Sequence, residues 1–169
     1  MQNIFSDAVD GLAEVPDESV DCVLARPDVR LVPADAAVIG LRGVWSEVRR
    51  VLRPTGTSWL TLCDHRVDGS QVGLPWRVAF TLQRAGWLLR NAIVDGAGES
   101  WSPPRMTFLL VRQPQYYFEL RVPRSSGPHR GDVVLSGEQS VDERFAAVGC
   151  PADGITLSLF GGERVQADA

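Results

Sequence analysis

The side chains able to do chemistry are few and scattered along the chain. Three cysteines, Cys22, Cys63 and Cys150, stand without C-x-x-C spacing. An odd set of this kind reads as small buried hydrophobes in a reducing compartment, and it implies no metal. The two histidines, His65 and His129, have no metal-like spacing and read as surface polar residues. Asp64 and His65 are adjacent, and neighbours on a strand face opposite ways, which argues against a catalytic pair there. Phe160-Gly161-Gly162, taken alone, is a turn after a strand. The remaining chemical signal is arginine, since all 17 basic residues are Arg. Residues 1–40 hold two Arg against eight acids, residues 41–130 thirteen against six, and residues 131–169 two against seven. A basic centre between acidic ends can be a phosphate-facing surface or a set of salt bridges within one fold, and the second use is the commoner.

The elements that must position these residues belong to one domain. The chain has 169 residues, 44% of them hydrophobic, enough for a single core without staples. A net charge of -4 argues against a general nucleic-acid coat protein. No run of ~18 apolar residues suggests a membrane span, and residues 1–10 lack the basic and apolar regions of a secretory signal, so a cytoplasmic location is expected. The β-branched run 20–25 reads as a buried strand. Apolar spacing predicts a helix over 38–52, with Arg49, Arg50 and Arg53 at its negative dipole end and Pro54-Thr55-Gly56 as its stop. A strand over 57–63 follows, then a helix over 74–85 with Pro75 in its first turn and Gly86 past its end. Strands over 87–94 and 106–112 would form an antiparallel hairpin at a sheet edge. A short helix over 141–148 and a strand over 155–160 complete an α/β pattern with a mostly parallel sheet.

Several stretches, in order, carry a resemblance. Residues 7–21 (DAVDGLAEVPDESVD), residues 47–57 (EVRRVLRPTGT), residues 74–80 (LPWRVAF), Gly86-Trp87, the strand Phe108-Leu109-Leu110 with Pro114-Gln115-Tyr116-Tyr117-Phe118, and Gly149-Cys150-Pro151 are similar to bacterial and phage site-specific DNA amino-methyltransferases. These are the permuted enzymes that methylate adenine N6 or cytosine N4 with S-adenosylmethionine. The resemblance implies a Rossmann-like methyltransferase sheet over residues 1–169 with an incomplete cofactor half. Residues 1–118 correspond to the catalytic half, 119–140 to a shortened target-recognition linker and 141–169 to a remnant of the cofactor half. The chain leaves no room for the helix and strand that follow the cofactor loop in such enzymes.

The same resemblance marks site positions. The family's strand equivalent to 20–25 ends in D/N/S-P-P-Y/F/W, whose polar side chain and first proline carbonyl accept the protons of the extruded base's amine while the aromatic ring stacks on it. The matching residues are Arg26, Pro27, Asp28 and Val29. Arg26 is a donor-only cation where an acceptor is required, and Val29 cannot stack as an aromatic does. The family's cofactor loop, D-P-F-x-G-x-G, appears as residues 158–164, SLFGGER, keeping Phe160 and Gly162 with Gly161 between them but losing the acid, the proline and the last glycine. Asp7 matches an acidic position on the cofactor's adenine side, and it also suits the N-cap of a helix. Arg90, Arg105, Arg112, Arg121, Arg124 and Arg130 are the candidate nucleic-acid contacts.

These substitutions imply a methyltransferase-like protein without an intact catalytic set, binding no S-adenosylmethionine and acting in DNA binding or regulation through its Arg-rich centre. Two further readings follow from the same resemblance. One is a non-enzymatic interaction subunit, as a homodimer or as the partner of an active methyltransferase. The other is an active S-adenosylmethionine-dependent DNA methyltransferase completed by a partner chain.

Overall fold

The computed structural model describes residues 4–95, 105–119, 133–134 and 141–160. The order is α1 (Ile4–Ala13), β1 (Val20–Ala25), α2 (Ala34–Val51), β2 (Leu52–Cys63), β3 (Arg66–Val67), β4 (Ser70–Gln71), α3 (Leu74–Arg84), β5 (Leu88–Asp95), β6 (Arg105–Val111), β7 (Val133–Val134), α4 (Val141–Gly149) and β8 (Thr156–Leu159). Six strands form one sheet in the order β7-β5-β6-β2-β1-β8. Only β6 runs against the others, pairing antiparallel with both β2 and β5, while β1 pairs parallel with β2 and β8. The mostly parallel α/β sheet is present as the sequence pattern implies, but β6 makes two antiparallel pairings and β7 lies beyond β5, so the β5–β6 hairpin sits inside the sheet rather than at its edge. The carboxyl ends of β1, β2, β5 and β8 lie along one edge.

Alternation along the strands builds two cores. Val23 and Ala25 of β1, Leu60 and Leu62 of β2, and Phe108 and Leu110 of β6 face the layer of α1, α2 and α3. Cys22 and Leu24, Trp59, and Leu109 and Val111 face the other side, where Phe145 of α4 stacks on Trp59 with ring centroids 4.4 Å apart. Such strict alternation is what a sheet covered on both faces requires. The Thr57 hydroxyl donates to the Gly149 carbonyl at 2.8 Å, so the end of α4 rests directly on β2. A Cβ at Gly149 would overlap Thr57 and Trp59. Burial pushes the Cys22 thiol up to about 12 and keeps it unreactive. Cys22 and Cys150 are buried as the sequence suggests, whereas Cys63 is only half-buried at the end of β2.

Several local expectations are corrected. Helix α2 begins at Ala34, four residues before the apolar repeat becomes obvious, because Pro33 supplies an extended N-cap that launches it. It ends at Val51, and Leu52 already has extended backbone angles and opens β2. Pro54-Thr55-Gly56 therefore does not lie in a connecting turn. Val20 pairs with Leu52 and Cys22 with Thr57, so these residues bulge from β2 opposite Asp21. Gly56 is needed there, since a Cβ would press on the Asp21 carbonyl. The β3–β4 hairpin is an addition to the sequence reading, and the helix suggested by Asp7 is α1, which starts before that residue. The hairpin turns at Asp68-Gly69, both with positive φ, which is the usual chemistry of a two-residue turn.

Arg50 explains why the residues before β2 are so specific. Its guanidinium donates to the Leu12 carbonyl at 2.7 Å and the Val15 carbonyl at 2.9 Å, and it pairs with Asp17 and Glu47. One side chain thus satisfies carbonyls at the end of α1 and fixes α1 against α2.

Candidate ligand cavity at the carboxyl ends of the strands

A cavity of about 530 Å³ opens beside the ends of β1 and β8, lined by Asp7, Ala8 and Gly11 of α1, by Asp28, and by Leu157 to Phe160. The crevice outside strand carboxyl ends is where open α/β sheets take ligands, because loops rather than side-chain layers fill it. The fold thus brings together Asp7, Asp28 and Phe160, which are far apart in sequence. Asp7 lies inside the first turn of α1, which begins by Ile4, so it is not an N-cap. Phe160 has φ of +67, a left-handed conformation that is costly for a bulky residue, and its ring meets Phe5 edge-on at 6.3 Å. Gly161 and Gly162 lie outside the described residues.

The four residues after β1 go different ways. Arg26 extends to α4, where its Nη2 pairs with Asp142 Oδ1 at 2.7 Å, and its buried Nε makes no hydrogen bond among the described residues. Asp28 accepts from Arg30 Nε at 2.9 Å and Nη2 at 2.7 Å, and these hydrogen bonds hold its carboxyl down at about 2. Val29 is 1% exposed and belongs to the core under α2. No aromatic ring stands at that position to meet a planar ligand, and the acid two residues beyond Arg26 is already engaged. Asp142 had no signal in the sequence, because nothing in a distant helix announces an ion partner.

Beside this edge, Asp64 acts as a structural acceptor. Its carboxylate takes the backbone N–H groups of His65, Gly73 and Leu74, each at 3.0 Å, and so caps the start of α3. His65 is half-buried with an Nδ1 that makes no hydrogen bond among the described residues, which corrects its reading as a surface residue. His129 lies outside the described residues. Among the described residues no cluster of three metal-ligating side chains forms.

The candidate DNA-contacting arginines are dispersed. Arg105 is exposed where β6 meets the ends of β2 and β5, on the same edge as the cavity. Arg90 lies over the Tyr116 ring at 5.4 Å. Arg112 is at the opposite end of the sheet, paired with Glu18 at 3.0 Å and donating to the Leu52 carbonyl. Arg121, Arg124 and Arg130 lie outside the described residues.

No family model matches the chain. In sequence it is 30% identical to the type II methyltransferase M.SfiI of Streptomyces fimbriatus, over 71% of this chain and 38% of that protein. It is 25% identical to the type II methyltransferase M.Cfr9I of Citrobacter freundii, over 73% of this chain and 59% of that protein. The chain therefore spans less than two thirds of the length of these curated relatives. The solved structure of the PvuII DNA methyltransferase (cytosine-N4-specific) superposes with a TM-score of 0.66 at 12% identity, covering 87% of this chain and 69% of that one. That likeness is one of fold. Over the part it spans, the chain is a homologue of type II DNA methyltransferases and has the fold of a cytosine-N4-specific DNA methyltransferase.

Proposed function

We propose that this chain is a methyltransferase homologue that does not itself transfer a methyl group and that serves in DNA binding or regulation. The observation that carries this reading is Arg26, ion-paired to Asp142 at the position where the family places an acceptor for the base's amine. Methylating an exocyclic amine requires groups that accept its protons and concentrate its lone pair on nitrogen. A guanidinium has five donors and no acceptor, and it stays charged at any physiological pH. Pro27 keeps its carbonyl, but the other three positions of the tetrapeptide supply neither a free acceptor nor a stacking ring.

The described part of the cavity fits an S-adenosylmethionine-sized molecule in volume, since small-molecule sites span roughly 300–1,000 Å³. Asp7 would offer its carboxylate to a nucleoside hydroxyl or amine, and Phe160 would form an apolar wall. When bound, that cofactor supplies an activated methyl group on a sulfonium sulfur. Asp28 contributes little to a cation there, because Arg30 neutralises it. Ser158 stands where the family's loop acid would be, so binding is expected to be weak.

The test is calorimetric titration with S-adenosylmethionine and its demethylated product, followed by transfer of labelled methyl groups to mixed-sequence duplex and single-stranded DNA. The reading expects affinity weaker than micromolar and no incorporation. Incorporation above a no-protein control, lost again when an excess of the demethylated product competes for the site, would overturn it.

A further inference from the structure

Helix α3 buries Leu74, Val78, Ala79 and Leu82 in the core, and it leaves two aromatic rings open to solvent. Trp76 and Phe80, one turn apart, are 39% and 53% exposed, with ring centroids 5.7 Å apart. The Trp76 ring meets the buried Phe108 ring edge-on at 5.2 Å. Phe108 thus props the indole from the sheet and fixes its orientation. Neighbouring aromatic rings left in water are an apolar patch of the kind that marks a binding surface.

The charges around the pair say what fits it. Asp64 accepts the N–H groups of Gly73 and Leu74, so the β3–β4 hairpin and the first turn of α3, which carries Trp76, are tied together at the carboxyl end of β2. Arg66 stands on that hairpin, and Arg105 opens β6 opposite Cys63, three residues before Phe108. Both arginines are exposed and make no ion pair among the described residues. The nearby acids are engaged, Asp64 in capping α3 and Asp35 with Arg77, apart from Asp68 at the turn of the hairpin. Unpaired cations around exposed aromatic rings are the combination that takes single-stranded nucleic acid, because the cations follow the phosphates while bases lie on the rings. Bases inside a duplex are stacked on one another and offer such a ring no face until they are extruded. We propose that Trp76 and Phe80 form a stacking platform for unpaired bases of single-stranded DNA, with Arg66 and Arg105 engaging its phosphates. This rests on the DNA-binding reading above and adds to it the strandedness of the ligand and the residues that recognise it.

The test is fluorescence anisotropy of the full chain with labelled oligothymidine and with a labelled duplex, each over a salt series. The wild-type chain should bind the single strand more tightly. Trp76→Leu keeps apolar bulk against Phe108 but removes the aromatic plane, and it should lose roughly ten- to a hundredfold in single-strand affinity. Its salt slope should stay unchanged, because a stacked base releases no counterions, whereas Arg66→Ala should lower the slope by about 0.7 in log K per log salt. Trp76→Phe should recover most of the loss. Phe80→Ser changes a more exposed ring, so it should weaken binding while keeping the wild-type circular dichroism spectrum and melting point. Tryptophan emission should be quenched when the wild-type chain binds and less so for Trp76→Leu, since Trp45, Trp59 and Trp87 are buried. A preference for duplex, or single-strand binding indifferent to both Trp76→Leu and Phe80→Ser, overturns the platform and leaves DNA binding standing. A chain that binds neither DNA overturns the platform together with the reading on which it rests.

Discussion

Where β1 ends, charge and shape are used for holding the fold together. Arg26 reaches across to Asp142, Asp28 is clamped by Arg30, and Val29 turns inward under α2. The Asp28 clamp gives a direct titration. Hydrogen bonds from Arg30 lower its carboxyl from the ordinary 3.8 to about 2. A group depressed in the folded state lends stability above its unfolded pKa, and that contribution disappears as the pH falls from 3.8 toward 2. Arg30→Gln should return the Asp28 midpoint to the ordinary carboxylate range, measured from its carboxyl carbon resonance. A midpoint unmoved by that substitution would mean that the arginine does not hold the group. The identities of these residues, and the chemistry they withhold, were legible in the sequence. Their partners were not, because an ion pair between segments far apart in the chain leaves no local pattern.

The elements show where periodicity is a sufficient guide and where packing overrides it. β1 and α3 start where their alternation and turn residues place them, since one strand is apolar on both faces and one helix has Pro75 in its first turn and Gly86, with φ of +93, beyond its end. β2 departs from expectation because Pro54 and Gly56 are accommodated in a bulge, and that depends on Asp21 in the neighbouring strand. α1 fits against α2 through the absence of a side chain at Gly40, where a Cβ would overlap the Phe5 ring. Replacing a helix-interior glycine by alanine gains up to about 1 kcal/mol in propensity. Overpacking a filled contact costs about 1–3 kcal/mol, so Gly40→Ala should lower stability in urea denaturation. Gly11→Ala, whose new methyl meets nothing within 4 Å, should hold or raise it. Equal effects at the two sites would contradict the packing of α1 on α2.

Across the whole molecule, the contrast between acidic and basic segments is largely spent internally. Asp17 with Arg50, Asp21 with Arg53, Asp35 with Arg77 and Glu18 with Arg112 each join the acidic first forty residues to the basic middle. Apart from buried Asp21, the acids of these pairs are exposed and such pairs contribute little individually, but together they leave fewer cations for phosphate than the count of thirteen suggests. DNA bound along the cavity edge should lose affinity steeply with salt, by about 0.9 in log K per log salt for each phosphate engaged. Arg105→Ala should reduce that slope by about one contact, and Arg112→Ala, at the far end of the sheet, should leave it unchanged. A slope insensitive to Arg105 would place the DNA elsewhere on the protein.

The sequence by itself determined the α/β class, the order and nature of the main strands and helices, the family resemblance and the replaced positions Arg26, Asp28 and Val29. These are local properties: alternation, helical spacing, turn residues and motif order are all carried by neighbouring residues. Only the tertiary structure decided that Asp7, Asp28 and Phe160 share a cavity, that Asp142 engages Arg26, and that Arg105 and Arg112 lie at opposite ends of one sheet. Each depends on where distant segments come to rest, which is set by burial of the two cores and by the one reversed strand, and no stretch of the chain encodes that alone.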